Sequence, residues 1–176
     1  MRLKTTAVYQ FSELTDRAKD KARDWYRQGI EYDWGHDNMA SLKAFASWFD
    51  LKIKNYSLGG SDNRSQGVSF EVTIDDKIAE LQGVRLWKWF NNQRALPDLS
   101  GNCPFTGYCF DETLLDGIRK FLNRPWNCTY EELMQDCIDD FCKDYANDVD
   151  YQYSDEAVDE SIAANEYEFL EDGSRA

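Results

Sequence analysis

Five carboxylates stand four residues apart in this chain, Glu132, Asp136, Asp140, Asp144 and Asp148, with Asp139 beside them. On a helix, side chains four apart rise by about 6 Å along the axis and precess by roughly 40° per step, so the row wraps the helix. Two phosphate steps of one DNA strand rise by about 6.8 Å. A wrapped line of negative charge therefore imitates a nucleic-acid backbone and suits the basic clefts in which other proteins hold DNA or RNA. Asp155, Glu156, Asp159 and Glu160 would extend it on a following helix. The plainer use of the same acids is the solvated face of an amphipathic helix whose other face, Leu133, Cys137, Ile138, Phe141 and Tyr145, builds a core. Like charges at this spacing repel by a few tenths of a kcal/mol per pair. Only Lys143 offsets them, against sixteen Asp or Glu between positions 131 and 172.

Other chemistry is less well supplied. Asp148, Asp150, Gln152, Ser154 and Asp159 fall at calcium-loop positions, but Tyr153 stands where the sharp turn needs glycine and the twelfth position is Asp, not Glu. His36 is the single histidine, so schemes needing two histidines or three histidine ligands are excluded. With Asp33, Trp34 and Asp37 beside it, His36 reads as a hydrogen-bonding residue before it reads as a general base. Cys103, Cys109, Cys128, Cys137 and Cys142 form an odd set with no Cys-x-x-Cys pair, which points to packed reduced thiols and away from a structural zinc site. A Cys103 or Cys109 nucleophile paired with His36 is not predicted by any spacing. No catalytic residues, metal ligands or cofactor are assigned. Trp87 and Trp89, interleaved with Arg85 and Lys88, are candidate aromatic anchors for a partner; their plainer use is core packing, and the net charge argues against a stacking platform for single strands.

The elements that must position these residues follow from periodicity. Residues 4–11 read as a strand ending at Ser12, a helix cap, after which Ala18, Ala22, Trp25 and Tyr26 recur at helical spacing as far as Gly29. A second helix over residues 37–50 turns Leu42, Phe45, Ala46 and Phe49 inward, with Trp48 at the edge. Residues 51–58 and 66–74 form the strongest hairpin signal, joined by Gly59-Gly60-Ser61-Asp62-Asn63; Leu51, Ile53, Asn55 and Ser57 share one face, as do Val68, Phe70, Val72 and Ile74. Asp75 caps a short helix to residue 81, and residues 83–90 fit either helix or strand. Residues 97–108 are the longest loop. A helix over 111–122 precedes the capping box Thr129 to Glu132, which opens the acidic helix to about residue 149. A helix over 154–165 and a strand over 167–170 complete an α+β chain, a small antiparallel sheet with amphipathic helices packed on one face. All 176 residues are read as a single domain with a charge-balanced part, 1–100, an acidic helical part, 109–165, and a final strand, 166–171.

The charge is placed, not spread. Residues 1–100 hold 15 Lys or Arg and 14 Asp or Glu, whereas residues 101–176 hold 5 and 19, for a net charge of −13. Such a field repels nucleic acid and membrane phosphate. Aromatics make up 15% of residues, which marks a folded protein rather than a disordered acidic tail. With no run of eighteen apolar residues and no signal-like start, a cytoplasmic protein is expected.

Three stretches taken together are familiar: Phe11-Ser12-Glu13-Leu14-Thr15 with Ala18-Lys19 and Ala22-Arg23-Asp24-Trp25-Tyr26; Ser65-Gln66-Gly67; and Asn165-Glu166-Tyr167-Glu168-Phe169-Leu170-Glu171-Asp172-Gly173. They resemble a largely uncharacterised family of small acidic phage and prophage proteins. In that family the middle motif more often continues Asp-Gly-Ala-Ser-Phe, where this chain has Val68-Ser69-Phe70. The resemblance implies a mobile-element origin and a bacterial host cell, and supplies no catalytic residues. Joined to the acidic row, it leads to an expectation of a non-enzymatic inhibitor of a host nucleic-acid-handling defence complex, of anti-CRISPR or anti-restriction type. Its partner-binding face would be Glu132, Asp136, Asp139, Asp140, Asp144, Asp148, Asp155 and Asp159. The partner would be a basic nucleic-acid-binding protein, with no direct nucleic acid, no membrane, and a monomer or homodimer as the working state. Two other readings stand beside it: a phage structural or regulatory protein that self-associates, and a small hydrolase with an unrecognised carboxylate site.

Overall fold

Thr15 opens the first helix, its hydroxyl oxygen accepting the Ala18 N–H at 3.4 Å, and α1 runs Asp16–Arg27. Ser12, the expected cap, instead lies inside a 3-10 turn, Phe11–Glu13, because the Glu13 carboxylate reaches back to accept the Gln10 N–H at 2.7 Å and closes that turn first. The structure is a computed structural model and describes residues 6–101, 103–108 and 110–176. Of the strand expected over 4–11, residues 4 and 5 lie outside the described residues, and the strand itself is β1, Tyr9–Gln10. The chain divides into two compact units: residues up to Tyr32 together with Asp148–Ala176, and Asp33–Asn147.

In the first unit the two ends of the sequence pair. β1 lies antiparallel to β4, Glu168–Phe169, with Tyr9 opposite Phe169. α7, Asp155–Ala164, is capped by Ser154, whose hydroxyl oxygen accepts the Ala157 N–H at 3.3 Å. α1 packs on α7 around Phe11, Leu14, Ala18, Ala22, Val158, Ile162 and Phe169. Each large apolar side chain so buried contributes about 1.5–3 kcal/mol. Gly173 has φ +82°, and a Cβ there would overlap the Ala18 carbonyl, so only glycine lets the tail close over α1.

The second unit is built on α2, Gly35–Trp48, and the hairpin of β2, Leu51–Ser57, with β3, Gly67–Val72. These are followed by α3, Asp76–Ala79, α4, Val84–Gln93, α5, Phe110–Asn123, and α6, Tyr130–Gln152, whose residues after Asn147 belong to the first unit. α2 packs on β2 and α5, and α4 packs on α5. The chain is thus α+β, the strands of the described residues pairing as two separate two-stranded antiparallel sheets.

Two local outcomes differ from the periodic reading. Residues 83–90 resolve as helix, since Leu86, Trp89 and Phe90 are buried at helical spacing behind Gly83, whose φ of +53° turns the chain into α4. In β2 the pairing shifts between Ile53 and Asn55, an extra residue that bends the strand and puts Tyr56, not Asn55, in register with Val68. Asp111, at the start of α5, is buried and gathers the loop before it, accepting N–H groups of Phe105 at 2.9 Å, Thr106 at 2.7 Å and Gly107 at 3.2 Å, and the Thr106 hydroxyl at 2.9 Å. Burial opposes its charge, but hydrogen bonds from Thr106, Ser41 and Phe105 outweigh that and hold the carboxyl below its ordinary range.

Candidate functional site

α6 begins at the capping box foreseen from Thr129 and Glu132. The Glu132 N–H donates to the Thr129 hydroxyl at 3.1 Å, and the Thr129 N–H to the Glu132 carboxylate at 2.8 Å. Its inner face, Leu133, Cys137, Ile138, Phe141 and Tyr145 with Tyr130 and Met134, is buried as the spacing predicts. Tyr130 locks it to the end of α2 by donating its hydroxyl to the Phe49 carbonyl at 2.6 Å. With one face committed to the core, helical geometry drives Glu132, Asp136, Asp139, Asp140 and Asp144 outward, and all five are exposed.

These five carboxylates make polar contacts but no ion pairs among the described residues. Asp139 accepts from the Gln135 amide at 2.7 Å, and Asp144 from the Thr113 hydroxyl at 3.1 Å. Partial burial and then the charges of Asp139, Asp140 and Glu132 push the Asp136 carboxyl above its ordinary value. The field reaches through the helix. Burial first, then Asp136 and Glu132, push the Cys128 thiol up to about 11, and burial with Asp139 does the same to Cys142.

Acids on α5 join the row. Glu112, Thr113, Asp116 and Lys120 face Asp140, Lys143 and Asp144 of α6 across a groove of about 560 Å³. The two helices approach closely because a Cβ at Gly117 would lie 2.6 Å from the Cys137 sulfur. Within the groove Lys120 is paired with Asp116 at 2.5 Å, and that pairing, then Asp140, raises its pKa. Glu112 and Asp116 were absent from the sequence-predicted set, although their spacing of four with Lys120 places all three on one helical face.

The other predicted acids are occupied. Asp148 belongs to the first unit and accepts the Tyr32 hydroxyl at 2.6 Å. Asp159 receives a two-armed contact from Arg23, Nε to Oδ1 and Nη2 to Oδ2, both at 2.7 Å, while Asp155 pairs with Arg27 and stands 3.6 Å from Arg23. Asp155 and Asp159, expected to extend the acidic row toward a partner, are thus paired within the first unit with arginines that α1 supplies.

No family model, curated protein or solved structure matches this chain.

Trp87 and Trp89, the expected aromatic anchors, pack within the second unit. Trp89 is buried at 9% exposure, in edge contact with Phe90 and Tyr130, and Trp87 is half-buried and donates its indole N–H to the Leu122 carbonyl at 2.7 Å. Both serve packing. The large exposed rings of this unit include Trp34, Trp48 and Trp126 instead. The calcium-loop positions do not form a loop, since Asp148, Asp150 and Gln152 lie on α6 and Asp159 on α7. Among the described residues no group of three His, Cys, Asp or Glu side chains converges on a metal-sized site. His36 is exposed in the first turn of α2. Cys128, Cys137 and Cys142 are buried free thiols, Cys103 is half-buried, and Cys109 lies outside the described residues. No helix of the described residues is long and apolar enough to cross a membrane.

Proposed function

We propose that this protein is a phage-encoded inhibitor of a host nucleic-acid-handling defence complex, anti-CRISPR or anti-restriction in type, and that the outward face of α6 is its docking surface. Glu132, Asp136, Asp139, Asp140 and Asp144 enter a Lys/Arg cleft of the target and deny it to DNA or RNA. The supporting observation is the electrostatic state of that face: five exposed carboxylates on one helix, with no ion pair to any of them among the described residues. A protein pays for such an arrangement in self-repulsion, and a basic partner would relieve it. The rise of the row, about 6 Å per step, is close to that of two phosphate steps. Exposed ion pairs contribute little each, so the acids serve steering and exclusion, and anchoring contacts supply affinity. In this reading the protein is not an enzyme and works without a cofactor in the cytoplasm of a bacterial cell.

The test is capture from bacterial lysate at low salt by the wild-type protein and by the triple variant Asp136→Asn, Asp140→Asn, Asp144→Asn. The expected result is a nucleic-acid-binding complex that releases as salt rises, loses its nucleic acid when bound, and escapes a triple variant of unchanged circular dichroism. Equal capture by the folded triple variant would sink the docking surface.

A further inference from the structure

Trp25, Tyr26 and Tyr167 meet as a corner in the first unit. The Trp25 and Tyr167 centroids are 5.3 Å apart with the rings at 86°, Trp25 and Tyr26 are 6.3 Å apart at 62°, and Tyr26 and Tyr167 are 6.1 Å apart at 53°. All three pack partly against the core of α1 and α7 and remain half-buried. With Gln28 and Gly29 they line a cavity of about 360 Å³. Rings at these angles turn their electron-rich faces in different directions, and a cation within about 6 Å of a ring centroid is attracted to it.

These ring systems already hold one guanidinium. The head of Arg175 lies 4.9 Å from the Tyr167 centroid and 5.7 Å from that of Trp25. It is tied in place by donating to the Glu168 carbonyl, and it is not among the residues that line the cavity. The segments of this unit carry eight Lys or Arg against fifteen Asp or Glu, so the surroundings favour a cation over a neutral side chain.

We propose that this cavity is an anchor site for an arginine side chain of a basic protein partner. The guanidinium lies against Trp25, Tyr26 and Tyr167, beside Gln28. The occupant is arginine because a planar, weakly hydrated cation matches both the ring faces and the charge, and because Arg175 shows that two of these rings, Trp25 and Tyr167, accept a guanidinium within the protein. The inference rests on the proposed function for the source of the arginine, but its test needs no partner.

The test titrates the protein with the peptide acetyl-Gly-Arg-Gly-amide and, separately, acetyl-Gly-Gln-Gly-amide. The readout is the indole N–H resonances of the six tryptophans, with Trp25 assigned through Trp25→Phe. The arginine peptide is expected to move the Trp25 indole saturably and leave that of Trp48 in place. The glutamine peptide should bind roughly threefold or more weakly. Tyr26→Leu and Tyr167→Leu, which keep apolar volume but remove a ring, should weaken the arginine peptide by a similar factor, and if either fails to fold the comparison of the two peptides on the wild-type protein still decides. A stationary Trp25 indole, or equal binding of both peptides, would overturn the proposal. The two readings separate cleanly: arginine binding at Trp25 with undiminished capture by the α6 triple variant keeps this site and removes the α6 surface, and the reverse result removes this site alone.

Discussion

Asp159 on α7 receives both arms of the Arg23 guanidinium at 2.7 Å, whereas Asp136, Asp139 and Asp140 on α6 have no ion pair among the described residues. In composition the two helices look alike, each rich in carboxylates and nearly bare of bases. They differ in what folding brings to them. α1 presents Arg23 and Arg27 to Asp155 and Asp159 of α7, so these two acids help hold the first unit together, while α6 turns its acids to solvent at a small cost in stability. Acidic surface is therefore not one property: Asp155 and Asp159 on α7 act inward on structure, and the acids on α6 remain to act on something else.

The comparison breaks most visibly at a third kind of carboxylate, the buried Asp111. Asp111→Ala strands three backbone N–H donors and should lower unfolding free energy by at least about 3 kcal/mol in urea titration. Next in size is Arg23→Ala. Its side chain is 17% exposed and that of Asp159 33%, so loss of the two-armed pair should cost about 2 kcal/mol by the same measurement. A cost near zero would place Asp159 with the free acids of α6.

Smallest, and opposite in sign, is Asp136→Asn, which should stabilise by a few tenths of a kcal/mol at pH 7 and raise Tm by roughly 1 °C. The pH dependence follows from the directions of the shifts. The carboxyl of Asp136 is raised in the folded protein, so its charged-state penalty is present above that raised value and fades as pH falls through it. The gain from Asp136→Asn should accordingly vanish by about pH 4, near the unperturbed carboxylate range. Asp155 is held low by the hydrogen bond from Arg27, and Asp172 by those from Lys21 and Ser174. Their contribution is present above the unfolded carboxylate range and is lost as pH falls below it. Thermal melts from pH 7 to pH 3 for wild type and Asp136→Asn separate the two behaviours.

Much of the local structure was legible because it is set by near neighbours. The apolar spacing of Leu133, Cys137, Ile138 and Phe141, the Thr129 and Glu132 box, the helix start near Ser154 and the hairpin with its Gly59-Gly60 turn all express contacts within a few residues. The outward direction of the α6 acids was legible for the same reason. What was not legible depends on distant partners. Nothing near Asp159 announces Arg23, 136 positions away, and nothing near Tyr9 announces that it lies opposite Phe169. The half-buried packing of Trp87 rests on the Leu122 carbonyl, and the shift of register in β2 on one extra residue with no proline or glycine to mark it.

The first unit is assembled from two segments, with Asp33–Asn147 threaded between them. On a ribosome adding roughly 5–20 residues per second, Asp159 follows Arg23 by roughly 7–27 s. Throughout that interval α1 has been made and α7 has not, so the nascent chain displays Lys21, Arg23 and Arg27 without Asp155, Asp159 and Asp172, which later pair with them. For that time the segment that forms α1 carries a net positive charge, opposite in sign to the molecule it becomes.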